Sequence, residues 1–155
     1  FGHEWLGPDG KQVFSDLQTR RGQVFWVASV DLETGRRVYR RVERDDWSVH
    51  FNLSPDGTLF AGDGGDADMV AHASDGKWLV LLRPEAVPDA DPESDREELI
   101  HTQVMRTERS VDMSAHDYRL EPNVTFSPDG KWVFFVSNMH GTNHVYAAEV
   151  TRRQP

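Results

Sequence analysis

The fold of this 155-residue chain is decided by one stretch, residues 121–139, which reads EPNVTFSPDGKWVFFVSNM. Val124 and Phe126 alternate with polar neighbours, the pattern of a strand with one buried face. The next four residues are Ser-Pro-Asp-Gly, and Pro, Asp and Gly favour a tight turn because they fix φ, bond to the backbone and tolerate positive φ. The apolar run from Trp132 to Val136 has the composition of a strand inside a sheet. The stretch therefore predicts a strand, a turn and a second strand.

The same turn phrase recurs along the chain. Copies stand at Gly7–Phe14, at Ser54–Phe60 and, in a weaker form, at Ser74–Val80. The spacing from the first aspartate to the second is 47 residues, and from the second to that of the opening stretch it is 73. A four-stranded propeller blade takes about 40–50 residues, so the first interval fits one blade and the second fits a blade with an insertion. The repeat predicts an all-β protein, a segment of a β-propeller.

The strand pattern predicts about three four-stranded antiparallel blades, covering residues 1–45, 46–115 and 116–155. Propellers have about 4–8 blades, so we expect a C-terminal part of a larger ring, with further blades or self-association covering the open sheet edges. Residues 84–98 are rich in proline and acids and predict a solvated loop. No stretch has a useful helix signal.

Composition limits the partners of this domain. The net charge is −9, which disfavours a nucleic-acid backbone or an anionic membrane as partner. The absence of cysteine excludes disulfides, thiolate ligands and thiol nucleophiles, and leaves both a cytoplasmic and a periplasmic location open. No apolar run approaches the roughly 20 residues of a membrane helix.

Chemistry is expected where the inner strands precede their turns, because these strands line the central channel of a propeller. Three blades place polar residues there: His3 and Glu4, His50 and Asn52, and Glu121 and Asn123. Imidazole, carboxylate and amide groups are ligands for divalent metals, and the first two also transfer protons. The alternative interpretation is structural, since polar side chains also satisfy the ends of inner strands.

At these positions the chain resembles a known family. The matching phrases are Gly2-His3-Glu4-Trp5 before Pro8-Asp9-Gly10, His50 before Asp56-Gly57 and Gly62-Asp63-Gly64, and Pro122 before Phe126-Ser127-Pro128. With them the chain is similar to the oligogalacturonate lyases, seven-bladed β-propeller enzymes of pectin breakdown. The likeness covers nearly all of the chain and places it in the C-terminal half. Ser-Pro-Asp-Gly turns also occur in TolB-like propellers, which bind proteins.

The resemblance implies β-elimination on uronic-acid oligosaccharides. The C5 proton of a uronate is removed and the group on C4 is expelled, which leaves an unsaturated sugar. A manganese-like cation on the carboxylate stabilises the charge that develops, with calcium or magnesium as alternatives. In this comparison His3 matches the catalytic histidine, and His50 matches a metal-ligand histidine.

The chain departs from the family at the other ligand positions. Where the family has a glutamine and two histidines, this chain has Tyr118, Glu121 and Asn123. Oxygen atoms of Glu and Asn suit Mn²⁺, Mg²⁺ or Ca²⁺, so the expected metal set is His50, Glu121 and Asn123. Asp63, His116 and Tyr118 are expected to bind substrate or support the ligands, and His116 is a further ligand candidate. The family's catalytic arginine would lie before Phe1.

Two other functions remain open at the level of sequence. One is a non-catalytic, TolB-like scaffold that binds proteins, and the other is a protein that binds uronates without cleaving them. A lyase requires His3, His50 and the oxygen ligands to converge within about 4–6 Å of one point, because ligand bonds are about 2.0–2.6 Å long. A scaffold has no reason to gather them.

Overall fold

The structure, a computed structural model, describes residues 2–20, 22–66, 72–86 and 100–150. Regular structure in these ranges is almost entirely β, apart from one turn of 3₁₀ helix at Arg44–Asp46. Within the same ranges no helix has the length and apolar character to cross a membrane. The chain is therefore all-β over the part described, as the turn and strand pattern predicts.

Eight strands form one sheet in the order β1-β2-β3-β4-β8-β7-β6-β5. Their bounds are β1 Gly2–Leu6, β2 Gln12–Thr19, β3 Val24–Asp31, β4 Arg37–Val42, β5 Phe51–Leu53, β6 Phe60–Gly62, β7 Trp78–Ala86 and β8 Ile100–Asp112. Strands β1 to β4 pair antiparallel with their neighbours, and so do β5 to β8. Each group of four has the up-and-down connectivity of a propeller blade.

One pairing was not expected from the sequence. Strands β4 and β8, the outer strands of the two groups, pair in parallel from Arg37 opposite Ile100 to Arg41 opposite Val104. Strand β8 is 13 residues long, and it pairs with β7 and β4 at once. The pairing satisfies two edges that would otherwise expose unpaired backbone groups.

The opening stretch forms the second sheet, in the order β11-β10-β9. Its strands are β9 Thr125–Phe126, β10 Trp132–Ser137 and β11 His144–Glu149. The predicted turn closes with a hydrogen bond of 2.8 Å from the Gly130 amide to the Ser127 carbonyl, and Gly130 has φ 67°. The Ser127 hydroxyl donates to Asp129 at 2.6 Å. The predicted strand, turn and strand are therefore present.

Two apolar clusters hold the three strand groups together. The first packs β1–β4 against β5–β8 and includes Phe14, Phe25, Trp47, Phe51 and Phe60. The second packs β5–β8 against the smaller sheet and includes Leu59, Leu79, Met113, Phe126 and Phe135. The groups thus stack face to face, and this places the starts of β1, β5 and β9 side by side.

The second half of the middle group differs from the sequence expectation. Strand β7 continues through residues 84–86, which were predicted as the start of a loop. Residues 87–98 of that predicted acidic loop lie outside the described residues.

Candidate active site

His3 lies on edge strand β1, at a local irregularity of the backbone. The pairing of β1 with β2 shifts register between Gly2 and Trp5, and His3 has φ 44°, in the left-handed region. Bulges and left-handed residues other than glycine re-aim side chains, and they concentrate at functional sites. The His3 ring meets the His50 ring edge to face, with centroids 4.6 Å apart and an interplanar angle of 62°. Edge strand β1 and the residue directly before edge strand β5 thus bring their imidazoles into contact.

His50 is held by a buried carboxylate. Its Nδ1 lies 2.8 Å from Oδ2 of Asp63, and its backbone amide donates to Oδ1 of the same residue at 2.8 Å. The Asp63 side chain is fully buried, whereas that of His50 is 18% exposed. The hydrogen bond to Asp63 raises the pKa of His50 above the ordinary imidazole value, against the opposing effect of burial. Asp63 therefore fixes the ring and leaves Nε2 as its outward nitrogen.

Glu121 and Asn123, which precede β9 in the third strand group, lie next to His50 and Asp63. Oε2 of Glu121 lies 3.8 Å from Nε2 of His50, and this carboxylate is 52% exposed. Asn123 has φ 52°. Its backbone amide donates to Asp63 Oδ2 at 3.2 Å, and its side-chain Nδ2 donates to the Glu121 carbonyl at 3.1 Å. Asp63 thus links the second and third groups beneath the site.

An open groove of about 300 Å³ lies beside these residues. His3, His50 and Asn123 line it together with Glu4, Trp5, Phe51, Val124 and Thr125. The structure therefore brings His3, His50 and Asn123, from three different strand groups, to one groove, with Glu121 next to His50 but outside the lining.

Two other sequence candidates lie behind the groove. The buried Tyr118 hydroxyl donates to the Asp63 carbonyl at 2.8 Å, and burial raises the pKa of Tyr118. The His116 ring nitrogens lie 2.9 Å from the Ser137 hydroxyl and 2.7 Å from the Leu120 carbonyl, and burial lowers the pKa of His116. Tyr118 thus supports Asp63, while His116 belongs to the packing of the third group.

Asp16 was missed by the sequence reasoning. Its Oδ1 lies 3.4 Å from Nδ1 of His3, and its side chain is 12% exposed. The signal that would have found it is the 47-residue repeat, which aligns Asp16 with Asp63 and His3 with His50. Both pairs therefore have the same spacing of 13 residues.

The donors fit a divalent cation in part. Two atoms bound to one cation by bonds of about 2.0–2.6 Å lie at most about 5 Å apart, a limit that His50 Nε2 and Glu121 Oε2 meet. A histidine whose other nitrogen bonds a carboxylate is the usual arrangement of a metal ligand. Among the described residues no three His, Asp or Glu side chains form a metal-binding cluster, so a third ligand would have to be an amide such as that of Asn123.

Comparisons with solved structures identify similar folds. An oligogalacturonate lyase from Vibrio parahaemolyticus matches with a TM-score of 0.68 and 19% identity, over 97% of this chain and 35% of that chain. An oligogalacturonate lyase in complex with manganese matches with a TM-score of 0.66 and 20% identity, over the same shares of 97% and 35%. No family model matches the sequence, and no curated protein does.

The structural likeness confirms the predicted resemblance and fold class. The chain is all-β and has the fold of a propeller segment found in oligogalacturonate lyases. It spans 35% of the length of those structures, and at 19–20% identity the likeness concerns the fold.

Proposed function

We propose that this chain contributes a metal-assisted lyase centre that cleaves uronic-acid oligosaccharides, such as those of pectin, by β-elimination. The observation that carries the proposal is the meeting of His3 and His50 at one groove, with the Glu121 carboxylate 3.8 Å from His50. The similar fold of two oligogalacturonate lyases supports it. A scaffold that only packs blades together would not require this convergence.

His50, Glu121 and Asn123 would hold the cation. Bound there, a divalent ion such as Mn²⁺ would neutralise the uronate carboxylate and stabilise the negative charge that grows as C5 loses its proton. Asp63 orients His50 through the 2.8 Å contact at Nδ1, and it binds the backbone of Asn123. The buried carboxylate therefore positions two of the three ligand residues.

His3 is the proposed base. Its side chain is 49% exposed and lines the groove, so a substrate can reach it, and histidine is the side chain that most often acts as a general base. The proton on C5 passes to the ring, and the C–H electron pair forms the C4–C5 double bond. The C4–O bond breaks with its electron pair on oxygen, which takes a proton from water.

The experiment follows the ultraviolet absorbance of the unsaturated product, with the full chain, digalacturonate and Mn²⁺. In His3→Ala we expect a loss of about 10²–10⁴-fold in kcat with Mn²⁺ affinity unchanged, since general bases contribute that much. His50→Ala should weaken Mn²⁺ binding, measured by titration calorimetry, and abolish turnover. Retained turnover in His3→Ala would contradict the role of His3.

A matched control removes an imidazole elsewhere. His140 is exposed and contacts Tyr146 on the third group, so His140→Ala should leave both Mn²⁺ binding and turnover as in the wild type. The same measurements separate the two alternatives. Digalacturonate binding without turnover would identify a uronate-binding protein. Absence of both Mn²⁺ and digalacturonate binding would leave a TolB-like scaffold.

A further inference from the structure

Asp16 is a buried carboxylate with an unsatisfied oxygen. The residue is 8% exposed, and its Oδ1 receives no hydrogen bond from any side chain or amide in the described ranges. An unsatisfied buried polar atom costs about 1–3 kcal/mol, more if it is charged, so its presence requires an explanation. The neighbouring group that could supply that hydrogen bond is the Nδ1 of His3, which lies 3.4 Å away without hydrogen-bond geometry in this structure.

The backbone around Asp16 leaves room for this contact. Gly2 is paired with Asp16 across β1 and β2, and a Cβ at Gly2 would lie 3.0 Å and 3.2 Å from the two carboxylate oxygens. A side chain at position 2 would therefore require the carboxylate to shift by a few tenths of an ångström. His3 lies within the register shift that follows Gly2, and its Nδ1 is 3.4 Å from the same carboxylate.

We propose that Asp16 is a positioning residue for His3: it accepts a hydrogen bond from Nδ1–H and keeps Nε2 as the proton acceptor of a ring that lines the groove. The proposal rests on the function proposed for His3. The second group supports it, because the corresponding pair, His50 and Asp63, already makes this contact at 2.8 Å. Contacts of catalytic groups are often long without substrate and close when it binds.

The physical effect is on the ring itself. A neutral imidazole has one donor and one acceptor nitrogen, and the partner of one nitrogen decides the state of the other. A carboxylate at Nδ1 selects the tautomer with a free Nε2, and it stabilises the imidazolium that forms when the ring takes a proton. Without it, Nε2 carries the hydrogen in the commoner solution tautomer and accepts nothing.

The test measures the tautomer of His3 directly, by nitrogen-15 NMR of the full chain, free of metal, at an alkaline pH at which the spectrum itself shows the His3 ring to be neutral. The His3 signals are assigned by their loss in His3→Gln. We expect Nδ1 of His3 to be the protonated nitrogen in the wild type and Nε2 to be protonated in Asp16→Ala.

The control is Asp9→Asn, which changes an exposed carboxylate at the opposite end of the same hairpin and should leave the His3 tautomer unaltered. A wild-type His3 that carries its proton on Nε2, or a tautomer that is the same in Asp16→Ala, would overturn the proposal. This readout does not depend on turnover. If the tautomer changes as expected and no lyase activity is found, the proposed function fails and the Asp16 contact stands.

The kinetic constants of Asp16→Ala provide a second test of the positioning role. In Asp16→Ala we expect kcat to fall about 10- to 100-fold, the usual cost of losing a carboxylate behind a functional histidine, with KM nearly unchanged. A loss confined to KM would assign Asp16 to the shape of the groove and overturn the positioning role.

Discussion

Two strand groups carry the same pair of residues in different surroundings. His3 and Asp16 in the first group, like His50 and Asp63 in the second, are 13 residues apart. His3 and Asp16 lie on β1 and β2, whereas His50 directly precedes β5 and Asp63 directly follows β6. In the first pair the side chains are 49% and 12% exposed, and the nearest atoms are 3.4 Å apart. In the second pair the side chains are 18% and 0% exposed, and the distance is 2.8 Å. We call the more exposed His3–Asp16 pair the open pair and the more buried His50–Asp63 pair the closed pair.

The difference arises from the neighbouring group rather than from the hairpin. Asp63 also binds the Asn123 amide through its side chain and the Tyr118 hydroxyl through its carbonyl. These contacts, made with residues 55 and 60 positions later in the chain, bury the carboxylate completely. A fixed imidazole suits a ligand, and an accessible imidazole suits a base, so the two pairs are matched to different steps of one reaction.

The largest effect should come from removing the charge of the closed pair. Asp63→Asn places an amide opposite three nitrogen groups, the His50 amide, the His50 ring and the Asn123 amide. Breaking a buried charged pair costs about 3–5 kcal/mol, which we expect as the loss in free energy of unfolding. Urea unfolding followed by tryptophan fluorescence measures it.

The matched variant is Asp16→Asn in the open pair. It replaces a carboxylate whose buried Oδ1 receives no hydrogen bond, so the free energy of unfolding should change by less than about 1 kcal/mol. Equal losses in the two variants would show that burial by the third group does not distinguish the pairs, and would break the comparison.

A smaller difference is expected at the glycines beside each pair. A Cβ on Gly62 would lie 2.2 Å from the Ser48 hydroxyl and 3.1 Å from a Val80 methyl, both buried. Ser48 would have to move and lose the hydrogen bond that it accepts from the Gly64 amide at 3.0 Å. Overpacking of this kind costs about 1–3 kcal/mol in free energy of unfolding.

Gly2→Ala is the corresponding change in the open pair. Its Cβ meets only the Asp16 carboxylate, at 3.0 Å, and that side chain retains some solvent exposure. We expect a smaller shift in the urea midpoint than for Gly62→Ala. The reverse order would mean that the first hairpin is packed as tightly as the second.

The sequence predicted the parts that depend on local chemistry. Pro-Asp-Gly turns and apolar runs are short-range signals, and the strands around Gly10, Gly57 and Gly130 form where they indicate. The positions of His3 and His50 followed from the same repeat, since each stands at a fixed distance before its turn.

The remaining features depend on long-range contacts that no local pattern encodes. The parallel pairing of β4 with β8 joins strands more than 60 residues apart. The sequence of an edge strand does not identify the strand with which it pairs. The burial of Asp63 requires Tyr118 and Asn123 from another group. Asp16 was not predicted because an acidic residue in a strand is expected to face solvent, and its burial depends on contacts that the sequence does not show.

The smallest effect concerns pH, and it isolates the closed pair. The pKa of His50 is raised in the folded protein by its hydrogen bond to Asp63. A raised pKa means that the charged pair stabilises the fold fully below the unfolded imidazole pKa of about 6.5, and that this contribution is lost as pH rises through the folded-state pKa. His116 acts in the opposite sense, because burial lowers its pKa, so its contribution is present above the unfolded pKa and is lost as pH falls through the folded-state value. His116 is present in both wild type and His50→Gln, so its contribution cancels in the difference between their free energies of unfolding. Measured without metal, this difference should become smaller from pH 6 to pH 8. In the Asp63→Asn background this shrinkage should disappear or reverse, because burial, which lowers the pKa of His50, is then the largest remaining influence. A flat difference in the wild-type background would mean that the closed pair is not charged in the folded state.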